Sequence, residues 1–305
     1  MDEQHRRGFE HVQELLEFVG RLVARGGSTL QRFREEALSD LDQRLAAVSA
    51  AVGPEGIDPF GMEPATLRRI AVGAAFLYKV YFRCETTGLA NVPAGPVIVV
   101  ANHGGQLPID GVMITTALLL EGTPPRLARS MVDKWVPSLP FVSTYLSRAG
   151  VAVGTPENAE RLLERGEVLL AFPEGMDAIT KTVDEAYELK PFHSGFVRLA
   201  LAAKAPVVPV AVVGAEEQYP TLYNLKGVGR MIGLPSLPVW AQMIVPVAGL
   251  LPLPVRYRLE FGEPMTFTGD PDDEDAVVDA MAEQVRGRVR TMVDRQRAAR
   301  RHIFW

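Results

Sequence analysis

His103 is the residue of this chain best placed to move a proton. It follows the apolar run Val97–Ala101 and Asn102, and it precedes Gly104, Gly105, Pro108 and Asp110. An imidazole titrates near neutral pH, and a carboxylate on one ring nitrogen leaves the other to act as a base. Asp110 is the candidate orienter. Seven positions of straight helix rise about 10.5 Å, too far for the two side chains to touch. Gly104, Gly105 and Pro108 instead favour a turn that folds back and brings Asp110 towards the ring. The glycine pair also frees backbone N–H groups that a developing oxyanion could use. Such a base suits acyl transfer to a hydroxyl, and it suits hydrolysis when water replaces the hydroxyl.

A strand must deliver that loop. Val97–Ala101 is apolar throughout, as expected of a strand buried on both faces, and α/β proteins put chemistry at the C-terminal ends of such strands. Further strands are expected at Val151–Val153, Val168–Phe172, Val207–Val213 and Arg256–Phe261. Helices are expected at Gly111–Leu120, Pro156–Arg165 and Gly195–Lys204. Thr155-Pro156 offers a hydroxyl cap followed by a first-turn proline, and Ser194 reads as the cap of the third helix. The alternation predicts an α/β fold: a mixed, mostly parallel sheet covered by helices.

The flanks read as helical. Phe9, Val12, Leu16, Val19 and Val23 make one apolar stripe, and Leu30, Phe33, Ala37, Leu41, Leu45 and Val48 a second, divided at Gly26-Gly27. They predict an N-terminal helical hairpin over residues 1–60, ahead of a main domain over 61–305. A coiled-coil arm forming a homodimer is the other reading. Pro64–Phe82 is helix-like and could lie in an interface or pack inside. Asp270-Pro271 is read as the start of the last helix, with acids at Asp272–Asp275. Seven arginines and one acid lie between Arg286 and Arg301, before Phe304-Trp305. That polarity complements the helix dipole, and it equally suits an anionic membrane surface.

Two further blocks lie downstream. Val168–Gly175 reads VLLAFPEG, a strand running into Phe172-Pro173-Glu174-Gly175, and Val208-Pro209-Val210 lies inside the next strand. With Asn102-His103 and Asp110, these blocks make the chain resemble the lysophospholipid (glycerol-phosphate) acyltransferase family from Val80 to Glu263. The resemblance implies that His103 and Asp110 are catalytic. It implies that Phe172, Pro173, Glu174 and Gly175 bind substrate beside Gly104 and Gly105, with Glu174 accepting a hydrogen bond from a substrate hydroxyl. It implies acyl-CoA as co-substrate, or an acyl carrier protein in its place, and a lipid hydroxyl as acceptor. Lys181 and Lys190 are candidates to meet the phosphates of coenzyme A.

The chain departs from the family pattern in three places. Six residues separate His103 from Asp110, two more than is usual. Gly150–Thr155 carries no arginine, and Gly175 is followed by Met176-Asp177 instead of Thr-Arg. Arginine is the usual grip on a phosphate. Its absence implies the neutral-acceptor branch, similar to diacylglycerol acyltransferases, which Gly214-Ala215-Glu216-Glu217 also resembles. The alternative is a 1-acylglycerol-3-phosphate acyltransferase of phospholipid synthesis, with Arg129, Lys134 or Arg148 folding in to supply the charge. A lipid esterase or thioesterase competes with acyl transfer as the reaction, and a catalytically silent lipid-binding protein competes with any enzyme.

Composition bounds these readings. The chain has 305 residues, 47% of them hydrophobic, and a formal net charge of −5, which argues against a nucleic-acid surface. Cys84 is the only cysteine, so no internal disulfide is expected, and neither a metal cluster nor a resident cofactor is implied. No leader-like or spanning apolar segment is evident. Met231–Val255 is uncharged but holds five prolines, so it should lie on lipid or line an acyl groove. These features lead us to expect a peripheral protein on the cytoplasmic face of a membrane.

Overall fold

The computed structural model describes residues 38–49, 56–105, 107–132, 142–231, 236–244 and 251–304, together with Phe33 and Gly249. The first predicted apolar stripe lies outside the described residues, as do Leu30 and Ala37 of the second, Lys134 and Trp305.

The chain forms helices α1 (Leu41–Val48) and α2 (Pro64–Phe76), the latter continuing into a wider π-type turn at Leu77–Tyr81. Strands β1 (Glu85–Thr87) and β2 (Val97–Ala101) lead to α3 (Ile109–Leu120). Next come β3 (Ala128–Val132), α4 (Val142–Arg148), β4 (Ala152–Val153) and α5 (Pro156–Glu164). They are followed by β5 (Val168–Ala171), the single turn α6 (Met176–Ile179), α7 (Gly195–Ala203) and β6 (Val207–Val213). A hairpin of β7 (Thr221–Leu225), α8 (Lys226–Met231) and β8 (Leu237–Trp240) precedes β9 (Arg258–Phe261) and the long α9 (Asp275–Ala299).

Seven strands share one sheet in the order β1-β9-β6-β2-β5-β3-β4, and β7 and β8 pair separately. All neighbours in the large sheet are parallel except β6 and β9. The architecture is therefore α/β with a mixed, mostly parallel sheet. β1, β3 and the β7–β8 hairpin were not expected. Arg129, Ser130 and Glu85 interrupt the apolar signal in the first two, and Pro238 interrupts β8.

The central strands are buried on both faces, and their alternation splits the core in two. Ile98, Val100, Val207, Ala211 and Val213 pack with α5, α7 and α9. Val97, Val99, Ala101, Val208, Val210 and Val212 pack with α3 and with Tyr78 and Phe82. Helix α1 puts Leu41 and Leu45 into a smaller cluster with Leu67, Ala71 and Leu119.

Local chemistry sets the helix starts. Thr155 Oγ1 accepts the Asn158 N–H at 3.2 Å, capping α5. Ser194 occupies the capping position of α7, but its hydroxyl makes no capping bond, which corrects the reading of that residue. The last helix begins at Asp275, not at Asp270-Pro271. Asp270 Oδ1 accepts the Asp272 N–H at 2.9 Å, and Asp273 Oδ2 accepts the Asp270 N–H at 3.0 Å. These side chains hold the backbone in a turn that competes with helix.

Candidate active site

Strand β2 sits between β5 and β6, and all three point their C-terminal ends the same way. The loops leaving those ends meet. Asn102 extends the ladder by one side chain: its Nδ2 donates to Val212 O at 2.9 Å, and its Oδ1 accepts Val212 N–H at 2.8 Å. This fixes the chain direction at the point where His103 begins the loop.

His103 Nδ1 lies 2.6 Å from Asp110 Oδ2. Asp110 is the second residue of α3 and is fully buried. Its Oδ2 also accepts the Gly104 N–H at 3.0 Å, and its Oδ1 accepts the Gly111 N–H at 2.8 Å. The long spacing is absorbed by a turn before the helix starts. Gly105 has φ of +74°, a conformation that favours glycine. A Cβ at Gly104 would stand 2.6 Å from Glu216 Cγ and 3.0 Å from Ala215 Cβ, so only glycine fits there. The Gly104 amide is occupied by Asp110, which removes it as the oxyanion donor expected from the sequence.

The second block packs against the first. The Phe172 ring lies 4.5 Å from the His103 ring, tilted by 34°. Pro173 O accepts the His193 N–H at 2.9 Å, and the Gly175 N–H closes the turn on Phe172 O at 3.1 Å. Glu174 is fully buried. Its Oε1 accepts the His103 backbone N–H at 2.9 Å, and its Oε2 accepts the Lys190 N–H at 2.8 Å. With its carboxylate enclosed by protein donors, Glu174 braces the His103 loop. That corrects its expected role as acceptor for a substrate hydroxyl.

The lysines are also committed. Lys181 Nζ is 2.7 Å from Glu216 Oε1 and 3.6 Å from Glu174 Oε2, with its side chain 3% exposed. Lys190 Nζ pairs with Glu185 at 2.6 Å. Both ammonium groups are paired with carboxylates of the protein. Arg129 is fully buried, held by Asp58 at 2.6 Å, Glu167 at 3.0 Å and Gly150 O at 2.6 Å. Arg148 faces Glu63 at 3.8 Å. Arg129 is thus fully enclosed by its protein partners, whereas Arg148 is half exposed.

Burial works to lower the pKa of His103. The Asp110 carboxylate, by charge and by hydrogen bond, and Glu174 more than offset it, so the imidazole titrates above its ordinary value. Burial raises the pKa of Glu216, against the pull of Lys181. Beside Glu216 lies a shallow cleft lined by Gly105, Lys181, Glu216, Tyr219 and Thr221.

Other residues complete the site. Tyr187 Oη donates to Glu217 and accepts the Gly214 N–H at 2.8 Å, while Arg300 pairs with the same Glu217. Tyr257 Oη donates to Gln218 Oε1 at 2.9 Å. Tyr187, Tyr257 and Arg300 carry no local sequence signal. The polar run Gly214–Gln218 directly after an apolar strand was such a signal, of the same kind that marks His103. Two arginines of α9 also contact the fold: Arg297 lies over the Tyr187 ring, and Arg295 pairs with Glu260. Phe304 is buried, and its carbonyl accepts Arg83 Nη2 at 2.7 Å. The C-terminal helix packs its apolar face, from Val278 to Val293, into the core. No group of side chains suited to a metal ion occurs among the described residues.

Comparison with known proteins gives this geometry a context. The family model described as Acyltransferase matches residues 83–213. An uncharacterized protein of Mycobacterium leprae is 36% identical over 296 residues, covering 92% of this chain and 80% of its own. A DGAT1/2-independent enzyme synthesizing storage lipids from Gallus gallus is 28% identical over 195 residues, 64% of this chain and 55% of its own. The crystal structure of a 1-acyl-sn-glycerophosphate (LPA) acyltransferase, PlsC, from Thermotoga maritima matches at 18% identity and TM-score 0.47, covering 96% of this chain and 98% of that one. The matched region spans the His103 loop, the Phe172–Gly175 turn and strand β6, and the chain belongs to the acyltransferase family.

Proposed function

We propose that the protein transfers a fatty acyl group from acyl-CoA to the hydroxyl of a neutral lipid, with His103 as the general base. The observation that carries this reading is the 2.6 Å contact of His103 Nδ1 with Asp110, which leaves Nε2 for the acceptor. Nε2 takes the hydroxyl proton as the oxygen attacks the thioester carbonyl. The C–O bond forms, the C–S bond breaks, and the imidazolium returns its proton to the departing thiolate. The transfer is direct, because no hydroxyl or thiol nucleophile shares a hydrogen bond with His103 among the described residues.

Charge supports a neutral acceptor. Lys181, Lys190 and Arg129 are each held by protein carboxylates, and Glu216 lines the cleft. A phosphate monoester there would meet Glu216, and no arginine lines the cleft among the described residues. A relative that synthesizes storage lipids supports the same direction.

The test is mass spectrometry of the products formed from acyl-CoA and a panel of acceptors, with kcat/KM compared between diacylglycerol, a fatty alcohol and lysophosphatidic acid. The neutral acceptors should win. A preference for lysophosphatidic acid of about tenfold, near 1.4 kcal/mol, would overturn the neutral-acceptor assignment. His103→Ala should lower kcat by about 10²–10⁴-fold with the fold intact. Product without any acceptor alcohol would point instead to an esterase or thioesterase.

A further inference from the structure

We propose that the β7–β8 hairpin and the turns beside it form a docking surface for a lipid bilayer, which brings the mouth of the cleft to the acceptor. This rests on reading the protein as an enzyme with a lipid acceptor. Thirteen large apolar side chains are exposed among the described residues, and seven of them fall within residues 222–251. Met231 is 87% exposed, Ile244 86%, Tyr223 62% and Leu251 62%. Exposed apolar area gathered in this way marks an interaction surface, whereas scattered single residues do not.

The surface is held firmly to the fold. The rings of Tyr219 and Trp240 stack 4.4 Å apart at its base. Asn224 Nδ2 donates to Thr180 O at 2.6 Å, and Gln242 Nε2 donates to Gln218 O at 3.0 Å. No helix of the described residues is long and apolar enough to cross a membrane, and in this stretch β7, the short helix α8 and the turns after β8 expose the apolar side chains instead.

Charge selects the partner. From Tyr219 to Val255 there is no Asp or Glu, and the two charged residues, Lys226 and Arg230, are basic, in a chain whose net charge is −5. A second copy docked about a two-fold axis would set this basic stretch against itself. An anionic or mixed lipid surface has the complementary charge and takes up the apolar side chains. Position points the same way. Tyr219 and Thr221, where the hairpin begins, line the cleft beside Gly105. Val183, which also lines the cleft, and Leu107, two residues beyond Gly105, are exposed as well. The surface therefore lies beside the loop that carries His103 and Gly105.

The experiment is co-sedimentation of the full chain with phosphatidylcholine vesicles containing phosphatidylglycerol. Wild type should bind, and salt should weaken the binding without abolishing it. The double variant Met231→Ser, Ile244→Ser should bind about tenfold more weakly, yet keep its circular dichroism and its turnover of a short-chain alcohol dissolved in water. His103→Ala should bind vesicles like wild type. Wild type left in the supernatant, or a double variant that binds undiminished, overturns the proposal. So does a wild-type dimer that the double variant splits while vesicles leave it untouched. Hairpin-dependent binding without acyl transfer would leave the docking surface standing and remove only the catalytic reading.

Discussion

Glu174 accepts the backbone N–H of His103 at 2.9 Å, so the turn after β5 grips the loop after β2 by a buried carboxylate. The same carboxylate faces Lys181 at 3.6 Å, and Lys181 in turn holds Glu216 in the loop after β6. Three strand ends are thereby tied together around one imidazole.

Glu174→Gln should loosen that tie. The amide has one accepting oxygen where two N–H groups need one each, and Lys181 loses part of its countercharge. We expect a loss of about 1–3 kcal/mol in chemical denaturation. We also expect a drop in kcat larger than the change in acyl-CoA KM. Unchanged stability together with unchanged kcat would show that the brace is dispensable.

The pH profile follows from the raised pKa of His103. A general base must be neutral, so the acid limb of kcat/KM should lie above the ordinary histidine value of 6.5. Asp110→Asn removes the main raising influence and should move that limb to lower pH, with a smaller loss of kcat than His103→Ala. The linked stability runs the other way. A histidine whose pKa is higher folded than unfolded stabilises the fold in full below its unfolded value, and that gain fades as pH rises through the folded value. Thermal melts of wild type and His103→Ala across that range should converge towards alkaline pH.

Gly104→Ala should be costly despite its size. The new methyl would meet Glu216 Cγ at 2.6 Å, and Lys181 prevents Glu216 from swinging away. We expect about 1–3 kcal/mol of destabilisation and a displaced His103 loop, read as lost turnover at a temperature where the variant remains folded. Gly95→Ala, which meets no neighbouring atom, is the matched control and should keep full turnover.

Arg129→Met should be severe for stability although the residue lies outside the catalytic loop. It would leave Asp58, whose side chain is 2% exposed, and Glu167 without their shared cation. About 3–5 kcal/mol should be lost, measured by urea unfolding. Arg129→Lys should recover only part of it, since one ammonium cannot reproduce the guanidinium's fork to Asp58, Glu167 and Gly150 O.

Periodicity and block order by themselves determined the main architecture of this protein. Val97–Ala101 and Val207–Val213 are strands over the stretches read from their apolar runs, because a strand buried on both faces must be apolar at every position. The placement of His103, Asp110 and the Phe172–Gly175 turn at strand ends was legible for the same reason. The tertiary structure alone decided what the charged side chains do. Glu174, Lys181 and Arg129 look available in one dimension, and each is consumed by a partner distant in sequence, 71 positions away for Arg129 and Asp58. A buried charge survives only with a counter-charge at contact distance, and which residues come within that distance is a property of strand order and packing.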